Sequence, residues 1–126
     1  MSHLPSFTES DLQAYYRRVD LINQTAQQII KDFEWYGMVI KFSGHEENAY
    51  NELFRQIAPE IEKLLNTNSE KLMEVLYRID VNEQKVESAV AKAGERNIKT
   101  SEALSELIIQ RELQKVVTRN YFSGRL

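Results

Sequence analysis

The chain has 126 residues, no cysteine, and 19 acidic against 16 basic residues, for a formal net charge of −3. That length suits one domain with a core of its own, and the missing cysteines exclude disulfide frameworks, thiolate metal sites and cysteine nucleophiles. Four glycines and two prolines leave little material for the turns of an all-β fold, so the expected class is all-α.

Acidic and basic residues interleave along the chain without blocks, which argues against the basic footprint of a nucleic-acid binder. Residues 1–8 carry no basic stretch followed by an apolar one, and no window approaches about 18 uncharged apolar residues. The expectation is a cytoplasmic protein that neither crosses nor sits on a membrane.

Phe7-Thr8-Glu9-Ser10-Asp11-Leu12 reads as a helix start, with Thr8 as cap, acids in the first turn and Phe7 stapled to Leu12. From there Leu12, Tyr15, Val19, Ile22, Ala26, Ile29, Ile30 and Phe33 make one apolar stripe at helical spacing. Trp35, Met38, Val39 and Phe42 fall on the opposite side. Either Gly37 ends the helix as its left-handed stop and an extended connector follows, or the helix continues with a second sticky face. The first is the expected backbone.

Ser43-Gly44-His45-Glu46 matches a capping box for a second helix. In it Tyr50, Leu53, Phe54, Ile57, Ile61, Leu64 and Leu65 keep one phase through Pro59, which predicts one helix kinked there. Thr67 or Ser69 would cap a third helix. Its stripe of Leu72, Val75, Leu76, Ile79, Val86, Val90 and Ala93 contains one anomaly: Glu83 lies near its centre, with Asn82 at its edge. Gly94 is the expected left-handed stop. Thr100-Ser101-Glu102 opens a fourth helix, whose Leu104, Leu107, Ile108, Ile109, Leu113, Val116 and Val117 cover several sides, as in a helix central to a bundle or buried against a partner. The expected fold is an antiparallel four-helix bundle with helices at about 8–36, 44–66, 69–93 and 100–122.

Arg111 projects among Leu104, Leu107 and Ile108, so it is expected to meet Glu83 across the third and fourth helices, with Asp80 and Asn82 at the edge of the polar site. The plain reading is an ion pair that fixes register. The functional reading is a carboxylate and a guanidinium presented to a small molecule. Arg111, Lys115 and Arg119, with Arg125 beyond, form a basic ridge that the helix dipole accounts for; phosphate contact is the alternative, and Glu112 interrupts the surface.

Nothing else carries chemistry strongly. No Glu or Asp precedes a His by three residues, His-Glu-x-x-His is absent, and the loose group His45-Glu46-Glu47 is explained by a helix start. The four isolated glycines form no phosphate loop, and a Ser-His-Asp relay would have to draw on His3 or His45 with no nucleophile elbow. The chain is therefore expected to be no enzyme and to use no metal or cofactor, and no motif is specific enough to name a family. Trp35, Met38 and Phe42, with Leu113, Val117 and Tyr121 on the fourth helix, are the candidate association surface. The leading expectation is a helical interaction protein that binds itself or another protein.

Overall fold

The computed structural model describes residues 4–126; the sequence reading of residues 1–3, His3 included, lies outside them. Every regular element among the described residues is an α-helix: α1 (Glu9–Tyr16), α2 (Val19–Glu34), α3 (Ala49–Thr67), α4 (Ser69–Ile79), α5 (Glu83–Ala93) and α6 (Thr100–Phe122). The class is all-α as expected. Two of the four expected helices, however, are each broken in two.

The first break falls at Arg17-Arg18. Thr8 caps α1, its hydroxyl accepting from the Asp11 amide while Asp11 reaches back to the Thr8 amide. Arg18 is then extended, at φ −83° and ψ 101°, and pairs with Asp20 in the first turn of α2. The corner gives α1 its own orientation and brings Tyr16 against Tyr50 of α3, with ring centroids 4.4 Å apart. Val19, part of the expected continuous stripe, is left exposed.

The second break, at Asp80-Val81-Asn82, matters more for function. Asp80 adopts φ 66° and ψ 46°, and the Asp80 and Val81 amides donate to the Tyr77 and Leu76 carbonyls, closing α4 with a left-handed stop. Asn82 then caps α5, its side-chain oxygen accepting from the Gln84 and Lys85 amides at 2.8 and 3.2 Å. Asp and Asn tolerate the left-handed region because their short side chains bond locally, and Asn is among the strongest N-caps. Two adjacent polar residues thus end one helix and start the next without glycine.

Gly37 behaves as expected: at φ +74° it follows α2, and the Met38 amide returns to the Phe33 carbonyl at 3.0 Å. The start of α3 differs from expectation. Its cap is Asn48, not Ser43, because the Ser43 amide and hydroxyl and the Gly44 amide donate to the buried Glu52 carboxylate at 2.7, 2.9 and 3.0 Å. That clasp ties the connector down instead of starting a helix. α3 runs unbroken through Pro59 to Thr67. Asn68 closes it and caps α4. Gly94 stays right-handed, and the left-handed residue after α5 is Asn97, at φ 58°.

α6 is the axis of the core. Leu104, Ile108, Ile109, Leu113, Val116 and Val117 are buried along it, because α2, α3, α4 and α5 pack around it. Leu21, Ile22, Ile29 and Phe33 of α2, Leu53, Ile57 and Ile61 of α3, and Val75 and Ile79 of α4 join the same cluster. No described helix is long and apolar enough to cross a membrane.

The cap at the second break has a direct test. Asn82→Ala should lower the unfolding free energy by about 1 kcal/mol, read from urea unfolding followed by circular dichroism, whereas Glu83→Gln at the next position should change it by less than about 0.5 kcal/mol.

Candidate functional site

The break at Asp80 removes the expected meeting of Glu83 and Arg111. Glu83 is the first residue of α5 and is exposed, an ordinary place for an acid at a helix N-terminus. Asn82 beside it is also exposed and spends its side chain on the cap. Arg111 reaches the break itself, donating to the Asp80 carbonyl at 3.0 Å and the Asp80 carboxylate at 3.1 Å. The two groups brought together are therefore Arg111 and Asp80. The basic ridge is divided as well, since Arg111 pairs with Asp80 and Lys115 with Glu112, while Arg119 stays exposed.

The most deeply buried carboxylate among the described residues is Glu112, which in sequence looks like a surface interruption. It is 0% exposed, with Ile108, Ile109 and Val116 around it on the helix. Lys115 Nζ stands 2.8 Å from its Oε1, yet neither carboxylate oxygen receives a directed hydrogen bond. Asp32 of α2 lies against it. Burial pushes the Glu112 carboxyl up, the hydrogen-bonding contact with Asp32 adds to this, and Lys115 opposes it, leaving the group pushed up to about 8. Burial and the neighbouring Asp32 thus favour the protonated form of Glu112, and Lys115 favours the charged one.

Asp32 is the charged partner. Burial would raise it, but the hydrogen bonds from Glu112, Gln28 and Arg78 outweigh that and hold its carboxyl below the usual range. The Arg78 bond is 3.1 Å, and the Arg78 guanidinium also sits 4.7 Å from the centre of the Trp35 ring. A chain of contacts thus runs Trp35, Arg78, Asp32, Glu112, Lys115, joining the end of α2 to α4 and α6. Glu112 has no solvent-facing side from which a substrate could reach it. The pair is a clasp between helices. The signal for it was present in the sequence, in Glu112 between Ile108, Ile109 and Val116, and Asp32 between Ile29 and Phe33.

The expected association surface is largely used internally. Leu113 and Val117 are fully buried and Met38 nearly so. Phe42 and Tyr121 are half-buried. Of that group only Trp35 stands out, 71% exposed. The several apolar sides of α6 are covered by the chain's own helices.

An exposed apolar surface outside that expected set lies at the α4–α5 elbow. Tyr77 is 86% and Met73 58% exposed. With Tyr36, Leu76, Val81 and Val86 they line an open groove of about 720 Å³. Tyr36 is fixed there by its hydroxyl, which donates to the Glu74 carbonyl at 3.2 Å. The charged residues lining the groove are all acids: Glu74, Asp80, Glu83 and Glu87. Among the described residues, only Asp80 of these four has an ion-pair partner. An apolar floor with an acidic rim can hold apolar side chains flanked by cations.

No protein-family model, curated protein or solved structure matches the chain.

The carboxyl pair predicts a pH dependence of definite sign. Glu112 has a folded pKa of about 8, above its unfolded value of about 4.3. Its stabilisation is therefore complete below that unfolded value and is lost as pH rises toward 8, by up to about 1.4 kcal/mol per pH unit. Asp32 acts oppositely, losing its contribution only in acid, as pH falls below its unfolded value. Thermal melts of the wild type should drop between about pH 5 and 8, and Glu112→Gln, which keeps a donor but cannot titrate, should flatten that slope. Parallel slopes for the two proteins would show that Glu112 is ionised at neutral pH.

Proposed function

We propose that this chain is a non-enzymatic helical interaction protein that associates with copies of itself through the apolar groove at the α4–α5 elbow. The observation that carries this reading is the groove, with Tyr77 and Met73 held largely in solvent on its wall. A large aromatic residue at that exposure is stable in a monomer but becomes a strong anchor once a partner covers it. In the same reading the six helices form an antiparallel bundle of four layers, α1 with α2 and α4 with α5 each standing for one broken long helix. The bundle supplies rigidity, and the elbow supplies the recognition surface.

Three features support association over catalysis or ligand chemistry. The acid that burial perturbs most, Glu112, is sealed in the core. Glu83 and Arg111, the pair that a small-molecule site would have used, do not meet: Arg111 is bonded to Asp80 and Glu83 is exposed at the start of α5. The basic ridge keeps two exposed arginines, Arg119 and Arg125, after its internal pairings, a thin footprint for phosphate backbones.

Light scattering behind a sizing column tests the reading. The wild type should show a mass above that of the 14.8 kDa chain, rising with concentration. Tyr77→Glu should weaken association by at least about tenfold while the helical circular dichroism stays unchanged. A wild type that remains monomeric up to the highest soluble concentration would overturn it.

A further inference from the structure

The end of α6 carries the chemical complement of the groove. Phe122 is 69% exposed and Leu126 is exposed beyond it, flanked by the exposed Arg119 and Arg125. Tyr121 braces the Phe122 ring edge-on, with centroids 5.1 Å apart, and the Arg125 amide bonds back to the Asn120 carbonyl at 2.7 Å. The last turn is thus folded into a knob in which Phe122 lies between Arg119 and Arg125 along the chain, with Leu126 beyond them. Arg119 and Arg125 have no ion-pair partner among the described residues.

We infer that self-association is head-to-tail: the Arg119–Leu126 knob of one copy enters the α4–α5 groove of the next, with Phe122 among Tyr36, Met73 and Tyr77 and the two arginines on the acidic rim. This rests on the proposed self-association and specifies its geometry. Charge decides between the two possible arrangements. A twofold contact of groove with groove would set Glu74, Glu83 and Glu87 against their own copies, and like charges across an interface oppose association. Knob in groove places cations on that rim.

The groove and knob of one chain are also kept apart. Arg111, which holds Asp80 at the groove, and Phe122 lie on the same helix, separated by about 16 Å at 1.5 Å per residue. A rigid α6 keeps the knob from folding into its own groove. A contact between two different surfaces leaves an open groove at one end and an open knob at the other, so it generates a ring or a filament rather than a closed dimer.

Mixing two surface variants tests this and separates it from self-association in general. Tyr77→Glu disables the groove and Phe122→Glu the knob, and both positions are solvent-facing enough for the fold to be kept, which circular dichroism checks. Each variant alone should run as a monomer by light scattering. Their equimolar mixture retains one good groove and one good knob and should form a 1:1 dimer, stopping there, while the wild type grows further with concentration. The mixed dimer should weaken at least tenfold between 50 and 500 mM salt. If the wild type associates and Tyr77→Glu abolishes it, but the mixture stays monomeric, the head-to-tail geometry is wrong while the groove remains the association surface. If the wild type is monomeric throughout, both fail, and an occupant of the groove must be another protein.

Discussion

α6 has apolar side chains on more than one side, and such a helix is stable in water only when other helices surround it. This requirement sets the positions of the remaining elements. α2, α3, α4 and α5 each cover part of α6, and in doing so they bury Leu113 and Val117, the residues that would otherwise offer an association face. A surplus of apolar surface in a sequence therefore says that a helix must be covered. It does not say whether the cover comes from the same chain or another one.

A glutamate at the centre of that helix is the largest local conflict with an apolar core. An isolated buried carboxylate is strongly disfavoured, and it either gains a partner or takes up a proton. Glu112 is drawn both ways: burial and Asp32 push its carboxyl toward the protonated form, and Lys115 stands beside it as a cationic partner. Asp32 in turn is anchored by Arg78. Buried polar groups of this sort add little net stability compared with well-packed apolar residues. Their effect here is on register, since sliding α2 or α4 by one turn along α6 would strand a charge. The same contacts fix Arg78 under Trp35 and so hold the end of α2 where Tyr36 can close one side of the elbow groove.

Much of the architecture was legible in the sequence. The helical class, the Thr8 cap, the stop at Gly37, the course of α3 through Pro59 and the central place of α6 all followed from spacing and capping chemistry. The two helix breaks did not, because neither contains glycine or proline. At Arg17-Arg18 the apolar spacing continues across the corner, and at Asp80-Asn82 two polar residues perform tasks that look like surface decoration until the backbone is seen. Missing the second break also misplaced the polar site. Glu83 looks buried only if Leu72 to Ala93 is one straight cylinder. Once α5 starts afresh after its Asn82 cap, Glu83 belongs to its first turn, and the most deeply buried acid is Glu112, whose position among Ile108, Ile109 and Val116 is outweighed in sequence by its charged neighbours Arg111 and Lys115.

The same break explains why the exposed apolar surface is a groove with an acidic rim. On a continuous helix, Met73 and Tyr77 would lie on the side of the cylinder away from Val86. Bending the chain at Asp80 brings the end of α4 and the start of α5 to two walls, with Val81 between them. The rim is acidic for reasons of local stability. An acid is favoured in the first turn of a helix, which suits Glu83, and Asp80 supplies the left-handed stop. Glu87 follows Glu83 one turn later on the same face. Helix-end chemistry thus supplies part of the elbow's negative charge, Glu74 and Glu87 add to it, and that sign favours apolar side chains carried between cations over a second acidic surface.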